Sequence, residues 1–274
     1  MQSLVVIGAG KVGQVIARRL QQAQQVEVMA VLNRSHASAL AAVGFIGAGR
    51  ACASAEELPQ AQSYLLAVSD DQLQHAAALL PASLDLSDSV IWHCSGALAA
   101  SHLAGLKARG AWLASCHPVR SFADRVSAEA EFAGTLCACE GDAVALARLM
   151  PALQAAGAQV FEIQAEHKAL YHAAAVMANN YLVSLLDSAI QTYLAAGISA
   201  ELAQQLSVSL AQQGLNNLRQ FGPELALTGP VARGDWQTVQ RHQQALQPLP
   251  ELAALYQALL APTQALAARR KVTP

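Results

Sequence analysis

The sequence feature that most constrains the fold is a glycine-spaced segment near the amino terminus. Four apolar residues, Leu4–Ile7, have the pattern of a strand buried on both faces, and Gly-x-Gly-x-x-Gly follows directly at Gly8, Gly10 and Gly13. An apolar pattern with helical spacing begins inside the motif and continues to Leu20. A strand that turns through such glycines into a helix is typical of a dinucleotide-binding βαβ unit.

Each glycine of this motif has a mechanical role in that unit. Gly8 permits the tight turn, Gly10 lets a pyrophosphate approach the backbone, and Gly13 lets the helix pack on the strand. The phosphates would lie at the positive end of the helix dipole. A glycine turn without a nucleotide is the alternative. The candidate phosphate-binding residues are Gly8, Ala9, Gly10, Lys11, Val12 and Gly13.

The end of the second predicted strand indicates which nucleotide would bind. Val26–Leu32 leads into Asn33, Arg34 and Ser35, about 20 residues past the last glycine. Proteins that select NAD usually have an acidic residue there, which holds the ribose 2′-hydroxyl. An amide, a guanidinium and a hydroxyl suit a 2′-phosphate instead, so the sequence predicts NADP as the cofactor.

Composition and charge exclude several classes of protein. The chain has 274 residues, which suits two domains, and 54% of them are hydrophobic against 13% charged, which predicts a large core. A net charge of −2 without a basic cluster argues against nucleic acid or an anionic membrane as partner. No apolar run is as long as a membrane span, and the amino terminus lacks a basic leader. We expect a cytoplasmic protein.

The cysteines predict neither a disulfide framework nor a metal site. They are odd in number, show no C-x-x-C spacing, and fall mostly in strand-like runs. Buried, reduced thiols are expected at Cys52, Cys94, Cys116, Cys137 and Cys139.

The secondary-structure pattern divides the chain into two halves. Up to residue 164, strands alternate with helices, which predicts a doubly wound, mostly parallel Rossmann sheet, an α/β fold. Residues 165–274 are predicted to form an all-helical domain. The predicted strands after the first two are Ser63–Ser69, Val90–Cys94, Trp112–Cys116, Thr135–Cys139 and Gln159–Ile163. The predicted helices include Asp71–Leu80, Leu98–Arg109, Asp142–Ala156, Glu166–Ala196, Ala200–Phe221, Trp236–Leu246 and Leu252–Ala268.

Polar residues follow several predicted strands, at the edge of the sheet where doubly wound folds bind their ligands. Val68, Ser69, Ser95 and Gly96 are therefore candidate cofactor contacts. Ser95 could orient a substrate oxygen or the cofactor amide, or could serve only as a turn residue. His117 precedes a proline, which should end its strand and leave the imidazole near the nicotinamide. It could handle the proton that accompanies hydride transfer, or simply be hydrogen-bonded there.

The second half adds two further groups of candidates. Lys168, His172 and Asn179 share one face of the predicted long helix, and this face either meets water or lines a cleft between the halves. Lys168 could protonate or polarise a carbonyl or imine, and Asn179 could hold the substrate. His172 is a further catalytic candidate on this face. Arg233 could pair with a substrate carboxylate or belong to a self-stabilised loop, in which Asp235 should cap the helix that follows.

The order of these motifs resembles a family of bacterial Rossmann-like proteins with a helical C-terminal domain of unknown function, provisionally called NADP oxidoreductases. The motifs include GAGKVG, HCSG, CHPVRSF and LTGPVARGD. More distantly, the chain is similar to prephenate dehydrogenase, pyrroline-5-carboxylate reductase and deazaflavin-dependent NADP reductases. The prephenate dehydrogenase resemblance implies that His117 contacts a substrate hydroxyl, with Ser95 near the active-site serine. The Lys168 and Asn179 pair is similar to that of the β-hydroxyacid dehydrogenases. The Ser/Thr-rich loop of the pyrroline reductases is missing, so no substrate is implied.

These observations predict an NADP-dependent oxidoreductase acting on a small keto acid, hydroxy acid or imine in the interdomain cleft. The alternative is a non-catalytic NADP-binding sensor or interaction module. The helical half should also form a homodimer, because two of its helices are apolar on more than one face. The residues concerned are Leu202, Leu206, Val208, Leu210, Leu252, Leu255, Leu259 and Leu260.

Overall fold

The computed structural model describes residues 1–270, which divide into two compact units between Met177 and Ala178. The first unit is built on an eight-stranded sheet. Its strands are β1 (Gln2–Ile7), β2 (Val26–Leu32), β3 (Arg50–Cys52), β4 (Ser63–Leu66), β5 (Val90–His93), β6 (Trp112–Pro118), β7 (Leu136–Gly141) and β8 (Gln159–Glu162). They lie in the order β3-β2-β1-β4-β5-β6-β7-β8. All neighbours are parallel except β6 and β7, which are antiparallel.

Helices follow or connect these strands, as a parallel sheet requires. They are α1 (Lys11–Gln22), α2 (His36–Ile46), α3 (Leu73–Ala78), α4 (Arg125–Ala130), α5 (Ala143–Ala155) and α6 (Lys168–Ala178). Short 3₁₀ segments lie at Ala55–Glu57, Asp70–Gln72 and Ala165–His167, and a longer one at Ala100–Arg109. The strand order reverses between β1 and β4, so the carboxyl ends of these two strands flank the crevice in which doubly wound folds bind ligands.

Alternation along β1 explains why the sheet is covered on both faces. Leu4 and Val6 belong to one hydrophobic cluster, whereas Val5 and Ile7 belong to a second cluster. All four side chains are buried. Successive side chains of a strand point to opposite faces, so a fully apolar strand needs helices on both sides. The doubly wound fold predicted from the sequence is confirmed.

The described part of the second unit is helical. Its helices are α7 (Asn180–Ala195), α8 (Ala200–Ala226), α9 (Pro230–Arg233), α10 (Trp236–Leu246) and α11 (Pro250–Arg270). Helix α8 bends at Gly222, whose positive φ of 74° is outside helical geometry. Asp235 caps α10 as expected, since its carboxylate accepts a hydrogen bond of 3.1 Å from the Thr238 amide.

The structure differs from the sequence-based expectation in several elements. Ala100–Arg109 is a 3₁₀ helix, and β3, α2 and α4 were not predicted. The expected long helix is divided, because α6 ends at Ala178 and Asn179 adopts non-helical dihedral angles before α7 begins. The boundary between the compact units lies after Met177, whereas the strand pattern of the sequence ends near residue 164. Helix α6 belongs to the first unit because Lys168 is hydrogen-bonded to the sheet.

One described segment passes a simple test for a membrane span, which the sequence analysis did not anticipate. Ala165–Ala195 is long and apolar enough to cross a membrane, with a mean hydropathy of 1.2, and the most apolar part of it is not buried. Core helices of water-soluble proteins pass the same test. The segment also includes Lys168 and Tyr171, whose polar groups are hydrogen-bonded to residues of the sheet unit.

Candidate cofactor and active site

The three motif glycines have different surroundings. Gly8 has a φ of +79°, and a Cβ there would overlap Cγ1 of Val68. A Cβ on Gly13 would lie 2.6 Å from Cβ of Ala67, which no real packing allows. A Cβ on Gly10 would meet only the carbonyl oxygen of Gly8, at 4.0 Å. The fold itself therefore requires Gly8 and Gly13, whereas nothing among residues 1–270 requires a glycine at position 10.

The space beside Gly10 adjoins the start of α1. Gly10 is the N-cap residue, and no side chain caps the helix. The first-turn N–H groups of any α-helix have no intrahelical partner, and without a cap these have no side-chain partner among the described residues either. They carry the positive end of the helix dipole. Unfilled space next to unpaired donors fits a pyrophosphate group.

Two of the three residues predicted to bind a 2′-phosphate have structural partners. Asn33 Oδ1 accepts a hydrogen bond of 2.6 Å from the Ala9 amide, and its Nδ2 donates to the carbonyl of Ser38. Ser35 caps α2, because its hydroxyl accepts a hydrogen bond from the Ser38 amide. Arg34 is exposed, and its guanidinium makes no hydrogen bond or ion pair within residues 1–270. Arg34 is thus the member of the trio whose polar atoms remain available.

The remaining cofactor candidates are arranged around the same turn. Ala9 is buried in the core, and the half-buried Val12 packs against it. The Lys11 ammonium donates to the carbonyl of Ala123 in the loop after β6. Ser69, after β4, donates its hydroxyl hydrogen bond to Asp71 at 2.5 Å. The Lys11 bond therefore links the glycine turn to the loop after β6, whereas the Ser69 bond is local to the loop after β4.

Ser95 stabilises the turn after β5. Its hydroxyl oxygen accepts hydrogen bonds from the amides of Ala97 and Leu98, at 3.2 and 2.8 Å. Its carbonyl oxygen accepts one of 3.0 Å from the Lys168 ammonium. These contacts match the turn role that the sequence left as an alternative.

Lys168 neither meets water nor presents a free ammonium group. It is 0% exposed, and besides its bond to Ser95 its Nζ donates to Ser115 Oγ at 2.7 Å. The carboxylate of Glu140 lies 3.9 Å away and itself accepts a hydrogen bond from the Ala100 amide. Burial lowers the pKa of Lys168 and raises the pKa of Glu140. The water-facing alternative of the sequence analysis is therefore wrong for this lysine.

His117 lies near the end of β6 and contacts two side chains of α6. Its Nδ1 is 2.9 Å from Tyr171 Oη, and its ring meets those of Tyr171 and His172 edge-on, with centroids 5.7 and 5.8 Å apart. Burial, followed by the positive charge of Lys168, lowers the pKa of His117 to about 4. The imidazole is accordingly neutral near pH 7.

Gly96 makes room for this cluster of rings. A Cβ at this position would overlap Cδ2 of His172 and lie 2.9 Å from Nε2 of His117. Within the described residues, His117 Nε2 has no hydrogen-bond partner, and the His117 side chain is half-buried. One ring nitrogen is thus engaged by Tyr171, and the other has no partner among the described residues.

Sequence reasoning missed Tyr171, although a signal for it existed. Tyr171 follows Lys168 by three positions and precedes His172 by one, so the helical period that selected those two residues also includes it. Because most of the residues around it in the sequence are apolar, Tyr171 has the pattern of an ordinary core residue and was not selected.

The last two predicted site residues belong to the second unit. Asn179 is exposed at the break before α7 and does not cap that helix with its side chain. Arg233 is exposed at the end of α9. All five cysteines are free thiols, and no group of three or more metal-ligating side chains occurs among residues 1–270.

Comparisons with known families agree with this architecture. Residues 2–118 match the Rossmann-like domain, and residues 135–263 match DUF2520, a domain of unknown function. The amino-terminal part of the chain therefore matches a Rossmann-like domain, and the following part, from β7 into the helical region, matches DUF2520, in the order that the motif resemblance implied. No curated protein sequence matches the chain significantly.

Solved structures with the same fold include oxidoreductases. Protein TM1727 from Thermotoga maritima is 26% identical, with a TM-score of 0.77 over 98% of this chain and 99% of that chain. Protein BF3122 from Bacteroides fragilis, provisionally described as an NADP oxidoreductase, is 18% identical, with a TM-score of 0.79 over 96% and 98%. Plasmodium falciparum pyrroline carboxylate reductase, solved with NADP bound, is 14% identical, with a TM-score of 0.61 over 97% and 98%. The last two likenesses show the fold alone.

Proposed function

We propose that this chain, a Rossmann-like domain joined to a DUF2520 region, is an NADP-dependent oxidoreductase of a small metabolite with a carbonyl, hydroxyl or imine group. The observation that carries the proposal is the open space beside Gly10 at the uncapped start of α1. This space lies where the strand order reverses, which is the ligand crevice of doubly wound folds. A pyrophosphate there would accept hydrogen bonds from the first turn of α1.

The preference for NADP over NAD depends on Arg34. Its exposed guanidinium follows β2, the strand whose end adjoins the ribose in this class of fold. No acidic side chain occupies positions 33 to 35 to bind a 2′-hydroxyl. Arg34 would pair with the 2′-phosphate, while Asn33 holds the glycine turn through its bond to Ala9.

The chemistry would take place beside His117. The nicotinamide cofactor supplies or accepts the hydride when bound. His117 offers Nε2, which has no hydrogen-bond partner among the described residues, as a hydrogen-bonding group for the substrate oxygen or nitrogen. A neutral imidazole can stabilise charge that develops on such an atom. Lys168 acts as an anchor of α6 in this scheme, because its ammonium group is buried and hydrogen-bonded.

A single glycine substitution tests nucleotide binding. Gly10→Val places its side chain in space that the protein leaves empty, so the variant should fold normally. We expect it to lose NADPH affinity by at least about ten-fold, as measured by fluorescence titration. Gly44→Ala is the matched control, since a Cβ there meets nothing within 4 Å and α2 tolerates alanine. Unchanged NADPH binding by the Gly10 variant would contradict the proposal.

Turnover distinguishes the enzyme from the sensor that the sequence left open. NADPH oxidation is measured with a panel of keto acids and imines, using wild-type protein and His117→Gln. Turnover that depends on His117 supports the proposal. Tight NADPH binding without turnover of any panel member favours the non-catalytic module.

The proposal includes a cytoplasmic location. Cys52, Cys116, Cys137 and Cys139 are buried free thiols, and Cys94 is a half-buried one. Unpaired thiols are the usual state of cysteines in a reducing compartment. Fractionation of cells that express the chain would test the location.

A further inference from the structure

Helix α6 brings three functional groups to the carboxyl ends of β5 and β6. Lys168, Tyr171 and His172 have the spacing i, i+3 and i+4, which places them on one helix face. Lys168 fastens this face to the sheet through Ser95 and Ser115. Both rings, of Tyr171 and of His172, then meet His117 edge-on. The buried lysine thus fixes where the tyrosine hydroxyl lies.

The tyrosine hydroxyl contacts one ring nitrogen only. Tyr171 Oη lies 2.9 Å from His117 Nδ1 and has no other hydrogen-bond partner among residues 1–270. If Nδ1 carried the proton, the tyrosine hydrogen would be left without an acceptor in the protein. If Oη–H donates to Nδ1 instead, both groups are satisfied, and the neutral imidazole carries its proton on Nε2.

The surroundings of Tyr171 keep its hydroxyl protonated. Burial raises the pKa of Tyr171 to about 12, and its ring also packs edge-on against Phe161, with centroids 6.4 Å apart. A carboxylate in the same position would draw a proton to Nδ1 and favour the imidazolium. A tyrosine hydroxyl donates without adding charge.

We propose that Tyr171 is a positioning residue that holds His117 in its Nε2-protonated tautomer, with Nε2–H presented to the substrate beside Gly96. This inference rests on the proposed function for its role in turnover. The tautomer itself depends on neither cofactor nor substrate. In this arrangement His117 donates a hydrogen bond to the substrate oxygen or nitrogen, and Tyr171 never contacts the substrate.

Nitrogen NMR of the full chain, labelled with ¹⁵N in its histidines, reads the tautomer directly. His117→Gln identifies the His117 signals by their loss. At pH 7 we expect a protonated Nε2 and an unprotonated Nδ1 in the wild-type protein. In Tyr171→Phe, which keeps the ring and its packing, the two signals should move towards those of exchanging tautomers. Tyr181→Phe, at an exposed tyrosine of α7, is the control and should change neither signal.

Kinetics supply the second readout. Tyr171→Phe should lower kcat by about ten-fold or more and leave the Kd for NADPH unchanged. A protonated Nδ1 in the wild-type protein, or a Tyr171→Phe variant with an unchanged tautomer and unchanged kcat, overturns the inference. Failure of NADPH to bind would instead overturn the proposed function and leave the NMR result standing.

Discussion

Lys168 and Ser115, 53 residues apart in the sequence, are joined by a buried hydrogen bond of 2.7 Å between Nζ and Oγ. Lys168 starts α6, and Ser115 lies within β6 two residues before His117. The bond therefore connects the helix that carries Tyr171 to the strand that carries the histidine. The buried ammonium group therefore aligns α6 with β6 and also contributes to stability.

Removing the lysine charge should destabilise the fold strongly. Lys168→Met leaves the Glu140 carboxylate buried without its cation, at a cost of about 3 kcal/mol in the free energy of unfolding. Urea denaturation measures this cost. The double variant Lys168→Met with Glu140→Gln removes both charges and should recover part of the loss. A double variant as unstable as the sum of the two single ones would show that the charges are not coupled.

A methyl group at Gly96 should disturb the ring cluster. Gly96→Ala would press against His172 and Nε2 of His117, so the His117 NMR signals should shift and kcat should fall by about ten-fold or more. Gly105→Ala, where a Cβ meets nothing within 4 Å, is the control. A normal kcat in the Gly96 variant would show that turnover does not require the close contact between the Gly96 backbone and the two histidine rings.

Arg34 should set the nucleotide preference. Arg34→Ala loses a charge-assisted pair with the 2′-phosphate, worth roughly 1.5–3 kcal/mol, so the ratio of NADPH to NADH affinity should fall by about ten- to a hundred-fold. Arg148→Ala is the control. It removes an arginine that is paired with Asp88, two residues before β5, and should leave the affinity ratio unchanged. Equal affinities of the wild-type protein for both nucleotides would contradict the assignment.

Acid should destabilise the protein through two histidines whose pKa values are lowered. Burial lowers the pKa values of His93 and His117 to about 4, below the usual 6.5, so between these values the unfolded chain binds more protons. The free energy of unfolding should therefore fall as the pH decreases from about 6.5 towards 4, by roughly 2–3 kcal/mol per histidine. Urea denaturation at pH 7 and pH 4.5 measures the difference. His117→Gln should reduce that difference, and an unchanged one would contradict the shifted pKa.

The helical half should assemble with a second copy. Leu202, Val208 and Leu210 of α8 and Leu259 of α11 are all more than a third exposed, as expected for faces that need cover. We propose a homodimer formed mainly by residues 165–274, through the same surface on each subunit. Light scattering at micromolar concentration should give twice the chain mass. A value near 28.6 kDa would show a monomer.

Local signals in the sequence predicted most of the sheet. Seven of the eight strands were identified, because runs such as Leu4–Ile7 are apolar throughout and end in glycine or polar residues. The short edge strand β3 was missed because Arg50–Cys52 has only three residues and no distinctive pattern. The break between α6 and α7 at Asn179 was also missed, because asparagine is compatible with a helix interior and gives no clear stop signal.

The sequence by itself determined the doubly wound fold and the glycine turn, because dihedral freedom, strand burial and helical period act between near neighbours in the chain. It also selected His117 and Lys168 as notable residues. Only the tertiary structure decided which side chains each one contacts. Tyr171 and His117 are 54 residues apart, and their contact depends on how α6 docks on the strand ends. The same docking buries the ammonium group of Lys168. Local sequence could not predict either contact, because the partners of a side chain belong to elements that are distant in the chain.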